Sequence, residues 1–94
     1  MSRAEFEAEL ERGGYEIREG GVEPNEHREP HTHDFDVRFL VLEGSITLVF
    51  GNNRRAYAPG DSGDVPAGTA HEEHTGADGV RYLIGRRSLS APAR

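Results

Sequence analysis

The spacing of hydrophobic and polar positions changes once along the chain, after the two consecutive glycines that follow residue 12. In residues 2–12, Phe6 and Leu10 lie four positions apart, which places them on one face of a helix. Ser2 followed by Glu5 has the spacing of a capping box, and two consecutive glycines then end the pattern. The sequence therefore predicts a short N-terminal helix, with two apolar anchors holding it against the domain.

From Tyr15 onward the pattern is one of short extended segments separated by glycine, proline and asparagine, as is typical of an all-β sandwich or barrel. One hairpin is predicted at Gly51-Asn52-Asn53, because asparagine and glycine tolerate the positive φ angles that tight turns require. The predicted strands are residues 37–42, 45–50, 54–57 and 79–86, with a short apolar piece at residues 64–65.

The length of 94 residues predicts a single domain. We expect a helical arm at residues 1–14, a β-barrel at residues 15–87 and a flexible tail at residues 88–94. A domain of this size buries a small core, so a bound metal or a second subunit is expected to add stability. A homodimer is the predicted assembly.

The charge balance and the lengths of the apolar runs argue against two classes of partner. Acidic residues outnumber basic ones by 17 to 11, which gives a net charge of −6, and the arginines are scattered. A protein that binds the nucleic-acid backbone requires the opposite balance, so no nucleic-acid partner is expected. No apolar run approaches the length of about 18 residues that suggests a membrane span. A cytoplasmic protein without a membrane partner is the expectation.

The stretch "PHTHDFDV" contains the first candidate chemistry. In an extended segment, His31 and His33 point the same way and can share one ion. The chain has no cysteine, so a metal would be held by imidazole and oxygen ligands. Asp36, three residues beyond His33, is a candidate for the carboxylate ligand.

The spacing of the histidines and of several glycines resembles the two sequence motifs of the cupin family. The first motif, G-x5-H-x-H-x3-4-E-x6-G, is matched by His31, His33 and Gly44. The second, G-x5-P-x-G-x2-H-x3-N, is matched by Gly60, Pro66, Gly68 and His71. This resemblance implies a double-stranded β-helix, also called a jelly-roll or cupin barrel, in which His31, His33 and His71 line the barrel mouth and hold a divalent transition metal.

The chain departs from the first motif at the ligand glutamate, whose position is occupied by Val37. Three ways of completing the site remain open. Asp36 can serve if a loop or bulge turns it inward, Glu73 lies two residues past His71 on the same strand face, or water fills the position. The metal is therefore not identified by the sequence: iron, manganese, zinc, nickel and copper are all compatible. Asn25 and Thr75 replace a glycine and an asparagine of the motifs.

The resemblance leaves two functional hypotheses open. In the first, the chain is a metal-dependent enzyme, dioxygenase-like or isomerase-like, that acts on a small organic substrate in the barrel pocket. In the second, it is a non-catalytic module that binds or senses a metal or small ligand; a metal-free barrel is a third possibility. His27 and His74 are expected to be surface residues. The residues expected to line or underlie the pocket are Phe39, Val41, Ile46, Leu48 and Tyr82.

Overall fold

The computed structural model describes residues 1–88, and the predicted tail lies outside this range except for Ser88. One helix precedes six strands in this part of the chain. The elements are α1 (Arg3–Arg12), β1 (Glu16–Val22), β2 (His27–His31), β3 (Phe35–Phe50), β4 (Asn53–Tyr57), β5 (Ser62–Val65) and β6 (His71–Ser88). No helix among the described residues is long and apolar enough to cross a membrane.

The N-terminal helix forms as predicted. Ser2 is its N-cap and accepts a hydrogen bond from the Glu5 backbone N–H, while the Glu5 carboxylate accepts one from the Ser2 backbone N–H. Phe6 and Leu10 are fully buried. Their burial fixes the helix on one face of the sheet, so that this face is covered and the opposite face is left for a pocket.

The strands form one antiparallel sheet in the order β1-β6-β3-β4, with β2 pairing with β6 and β5 pairing with β3. The predicted hairpin is confirmed: Phe50 pairs with Asn53 across the turn between β3 and β4. These observations confirm the all-β jelly-roll class with a short N-terminal helix.

The central strands are longer than the sequence pattern predicts. Residues 37–42 and 45–50 were expected to be separate strands, yet both lie within the 16-residue strand β3. Gly44 has a positive φ of 74° and lies where the β3–β6 register shifts, so the chain continues to pair through a bulge. The opposing strand carries Gly79 with a φ of 64° at the same place.

This pair of glycines reverses the face to which alternating side chains point. Before it, β3 directs Val37 and Phe39 into the pocket-side core, and after it Ile46 and Leu48 occupy that core. The pocket-side cluster consists of Val22, Val37, Phe39, Val41, Ile46, Leu48, Tyr57, Val65 and Val80. The helix-side cluster consists of Phe6, Leu10, Leu40 and Leu83. The helix-side cluster contains fewer buried residues than the pocket-side cluster, so most of the hydrophobic core lies around the pocket.

Replacement of Gly44 by alanine is expected to destabilise the fold. A Cβ at this position would overlap the Gly79 carbonyl oxygen, and the positive φ adds a penalty of about 1–3 kcal/mol. Urea unfolding should show a lower free energy of unfolding for Gly44→Ala. Gly76→Ala is the matched control, because a Cβ there meets no atom within 4 Å and its φ is not positive. Equal stability of the two variants would contradict the assigned role of Gly44.

Candidate metal centre

The candidate metal centre forms where the end of β2 meets the start of β6. His31 and His71 are directly paired across these strands. His33 follows two residues after His31, and its carbonyl accepts a hydrogen bond of 2.8 Å from the Gly68 backbone N–H. The turn that contains Gly68, with a φ of 79°, thereby holds the three histidines together. The three predicted ligands thus come from two strands and the segment that follows one of them.

Glu73 is the carboxylate that meets these histidines. Its Oε2 lies 3.3 Å from His31 Nε2 and 3.4 Å from His71 Nε2. Its side chain is 13 % exposed and that of His71 is 2 % exposed. The Glu73 carboxylate and the three histidines offer ligand atoms that all lie within 4.8 Å of one another.

Two of the imidazole rings are oriented from behind by backbone carbonyls. His31 Nδ1 donates to the Glu29 carbonyl over 2.8 Å, and His71 Nδ1 donates to the Thr69 carbonyl over 3.0 Å. A carbonyl only accepts, so each Nδ1 carries a proton and each Nε2 is free to present its lone pair to the centre. Histidines that ligate a metal commonly have such an outer hydrogen bond.

The donor set fits a divalent transition metal. Imidazole nitrogen and carboxylate oxygen suit zinc, iron, nickel, copper and manganese. Tetrahedral bonds of about 2.0–2.1 Å separate neighbouring ligand atoms by about 3.3–3.4 Å. The two nitrogen–oxygen distances at Glu73, 3.3 and 3.4 Å, match that separation. The arrangement therefore suits one such ion with little movement of these side chains.

Asp36 is not among these converging side chains. It is the second residue of β3 and lies on the face opposite Val37. Its carboxylate accepts a 2.9 Å hydrogen bond from the Ala67 backbone N–H and lies 3.4 Å from the Arg87 guanidinium. Strand β3 begins at Phe35 and pairs with β6 through Asp36 and Val37 without a register shift. No bulge therefore turns the Asp36 side chain toward the histidines. Glu73, the second of the three options raised by the sequence, is the carboxylate in place.

The electrostatics of the cluster favour a neutral His33. Burial, followed by the neighbouring His31 and His71, lowers the pKa of His33 below its ordinary value. The ring also stacks on Phe35 with a centroid distance of 4.8 Å. A neutral imidazole is the form that can ligate a metal.

A pocket of about 120 Å³ adjoins the cluster. Phe39, Ile46, Leu48 and Tyr82 line it, as expected, and Val41 belongs to the buried cluster beneath it. Two charged residues of the lining, Arg28 and Arg86, were not predicted from the sequence. A signal for Arg86 was available, since it follows Tyr82 at even spacing along one strand face.

The two replaced motif positions retain structural roles. Asn25 adopts a φ of 57°, the left-handed conformation that the motif glycine would supply. Thr75 Oγ1 accepts a hydrogen bond from the Glu26 backbone N–H at 2.9 Å and donates one to the Glu23 carbonyl at 2.6 Å. These bonds fasten the segment before β2 to β6.

His27 and His74 lie outside the candidate metal centre. The His27 side chain is 46 % exposed and that of His74 is 31 % exposed, in keeping with the surface positions expected for them. Their rings stack on each other with centroids 4.3 Å apart. Glu72 lies beside both rings.

Fold and site together define a small jelly-roll protein with a histidine and carboxylate cluster beside its pocket. The family model described as "Cupin domain" matches residues 18–84. The chain therefore belongs to the cupin family. No curated protein matches the sequence.

Solved structures with the same fold include proteins of different activity. A cupin-2 domain protein from Shewanella frigidimarina has a TM-score of 0.65 and 23 % identity, covering 78 % of this chain and 70 % of its own. The polyketide cyclase RemF from Streptomyces resistomycificus has a TM-score of 0.64 and 28 % identity, with 80 % and 60 % covered. The DMSP lyase DddQ from Ruegeria pomeroyi has a TM-score of 0.69 and 20 % identity, with 82 % and 40 % covered. Similarity at these identities establishes the fold and leaves the activity open.

We expect Glu73→Gln to weaken metal binding and Asp36→Asn to leave it unchanged. Loss of the Glu73 charge removes a ligand, and even outer partners of metal ligands cost about 10- to 100-fold in affinity when mutated. Zinc affinity would be measured by chelator competition in a His27→Ala background. This substitution removes one ring of the stacked pair formed by His27 and His74, so the pair does not contribute to the measured affinity. Weaker zinc binding by Asp36→Asn, together with unchanged zinc binding by Glu73→Gln, would identify Asp36 as the carboxylate ligand instead.

The lowered pKa of His33 predicts that the metal-free protein loses stability on mild acidification. Histidine in the unfolded chain has a pKa near 6.5, so the unfolded state binds the proton first as the pH falls. The free energy of unfolding should therefore decrease from pH 7.5 to pH 5.5, as measured by urea unfolding in the presence of a chelator. His33→Gln should show a smaller decrease, and an equal decrease would contradict this assignment.

Proposed function

We propose that the chain binds one divalent transition metal through His31, His33, His71 and Glu73, and that it is a metal-dependent enzyme acting on a small organic anion. One observation carries the metal site: His31 and His71 both direct Nε2 toward the same Glu73 oxygen while their Nδ1 atoms are held by carbonyls. The relocated carboxylate restores a mixed histidine and glutamate set although Val37 occupies the motif position.

A bound divalent metal would supply Lewis acidity or, for a redox-active ion, oxygen chemistry at the pocket. The tasks of the chain itself are to bind and orient the substrate and to exclude water. The apolar wall serves the last purpose. It is formed by Phe35, Val37, Phe39, Ile46, Leu48, Val65 and Ile84.

The charged residues of the pocket favour an anionic substrate. Arg28, Arg86 and Glu73 are the charged side chains of the lining, two positive and one negative. A divalent ion on Glu73 would make this excess larger. The whole chain carries a net charge of −6, so the pocket has the opposite sign to the protein around it. An organic anion is attracted to such a site.

Arg86 is the residue best placed to bind the anion. Its backbone pairs with Val37, so it lies opposite the position where the motif has glutamate. The guanidinium lies 5.1 Å from the Phe35 ring centroid. Within residues 1–88, no carboxylate forms an ion pair with Arg86. A substrate carboxylate can therefore accept from two of the guanidinium N–H donors in a bidentate pair.

Tyr82 is suited to donate a hydrogen bond to the same substrate. Burial, and then the nearby Glu73 charge, raises the pKa of the Tyr82 phenol. The hydroxyl therefore keeps its proton across the neutral range, and its Oη can donate to a carbonyl or carboxylate oxygen. Arg86 and Tyr82 lie on one strand face, and both line the pocket.

Pocket size limits the substrate to a small molecule. The volume of about 120 Å³ is below the roughly 150 Å³ of an engineered cavity that admits benzene.

Two of the structural neighbours described above are named as enzymes, a polyketide cyclase and a DMSP lyase. Their names support the enzyme hypothesis over a purely structural role.

The second candidate function is a non-catalytic metal- or ligand-binding module. It is favoured by the same geometry, because the cluster and the Arg86 site can hold a ligand without transforming it. The homodimer and the cytoplasmic location stay predictions. Residues 1–88 expose one large hydrophobic side chain, Met1, so a dimer of this part would form through strand edges or polar surface.

Small carboxylates should bind better than their neutral amides, and Arg86→Gln should reduce this preference. A charged bidentate pair contributes about 1.5–3 kcal/mol, which corresponds to a loss of roughly 10- to 100-fold in affinity. The assay compares acetate, propionate and the matching amides by calorimetry on zinc-loaded protein. Arg54→Gln is the matched control, since it removes one arginine from β4, away from the pocket.

The same panel separates the two functions. Each acid that binds is incubated with protein loaded with zinc, iron, manganese, nickel or copper, and conversion is followed by NMR and oxygen uptake. Turnover that is lost in His71→Ala supports the enzyme. Binding without turnover of any acid would support the binding module, and equal binding of acids and amides would contradict the anion site.

A further inference from the structure

A second group of metal-binding side chains lies on the opposite face of β2 and β6. Glu72 and His74 alternate with His71 and Glu73 along β6, so they project away from the pocket. His27 of β2 is directly paired with His74. We call His27, Glu72 and His74 the outer cluster.

The outer cluster has the separations of a metal site. Glu72 Oε1 lies 3.0 Å from His27 Nε2 and 3.4 Å from His74 Nε2. One ligand atom from each residue falls within 4.8 Å of the other two. Bonds of about 2.0–2.1 Å in a tetrahedron require ligand atoms about 3.3–3.4 Å apart, and the two Glu72 distances lie within a few tenths of an ångström of that value.

The backbone around the outer cluster is fixed before any ion binds. Thr75, next to His74, is bonded to both Glu23 and Glu26, and its N–H donates to the Glu26 carbonyl at 2.9 Å. The Asn25 N–H donates to the Gly76 carbonyl at 2.8 Å. These bonds hold His27 against His74 in one register. A preformed site loses less entropy on binding than a mobile one.

The imidazole rings have room to turn toward an ion. In the structure they are stacked with an interplanar angle of 10°, so their in-plane lone pairs lie in two nearly parallel planes. Coordination requires a rotation of the rings about the Cβ–Cγ bonds until both lone pairs meet. The His27 side chain is 46 % exposed, and the Glu72 and His74 side chains about 30 % exposed, so the rotation is open to solvent.

We propose that the outer cluster is a second divalent-metal site, in which His27, Glu72 and His74 bind a zinc-class ion and water completes the coordination. Two imidazoles and one carboxylate suit zinc, and an open fourth position is common where three side chains ligate it. The site bridges β2 and β6. It would clip the five-residue strand β2, which also carries His31, to the central strand of the sheet.

The test counts zinc equivalents in the full chain, expressed without an affinity tag. His71→Ala removes a ligand of the pocket site and should leave one equivalent, and His27→Ala removes a ligand of the outer cluster and should also leave one. The wild type should bind two equivalents and the double variant none, by calorimetry and elemental analysis. Zinc should also raise the melting temperature of His71→Ala and fail to raise that of the double variant.

Glu29→Gln is the control for general surface effects. Glu29 lies 4.0 Å from His27 but is not part of the outer cluster, so this variant should still bind two equivalents. If His71→Ala does not fold, the step from two equivalents to one in His27→Ala and His74→Ala carries the test alone. A wild type and a His27→Ala variant with equal zinc content would overturn the proposal, and the outer cluster would then be a hydrogen-bonded ion pair. That result leaves the pocket site untouched.

Discussion

The pairing of β3 with β6 is the constraint on which the rest of the structure depends. Both strands pass through a glycine with a positive φ, Gly44 and Gly79, and both change the face of their alternating side chains there. His71 and Glu73 precede this change in β6, whereas Tyr82 and Arg86 follow it. Without the change, an odd-numbered pair and an even-numbered pair would project to opposite sides. The glycines therefore allow His71, Glu73, Tyr82 and Arg86, all from a single strand, to line one pocket.

In the pocket cluster, the carboxylate beside the histidines comes from a different strand than the one where the cupin motif would place it. Val37 fills the motif position of the glutamate and joins the apolar wall. Glu73 approaches the histidines from the opposite strand and reaches two Nε2 atoms. The space across from Val37 is then occupied by Arg86, which has no carboxylate partner in the described part of the chain. The negative charge at Glu73 and the positive charge at Arg86 thus lie at different places in the pocket lining.

Strand alternation also explains why two clusters coexist. Residues 71–74 place His71 and Glu73 on the pocket face and Glu72 and His74 on the other. The two faces differ in exposure: His71 is buried, whereas the outer histidines are open to solvent. The apolar walls around the buried cluster limit its access to solvent, whereas the outer cluster is open to it. One short segment in this way contributes side chains to a buried cluster and to an exposed one.

The sequence by itself determined the helix, the all-β class, the hairpin and the three histidines of the pocket. These features depend on local periods, on capping residues and on spacings that any reader of the chain can count. The tertiary structure decided which carboxylate joins the histidines, because Asp36 and Glu73 differ in the face of the strand they occupy. It also joined two predicted strands into β3 and placed Arg86 opposite Val37. It brought His27 beside His74 and Glu72 as well. These outcomes depend on register between strands far apart in sequence, and a shift of one residue reverses every side chain on a strand.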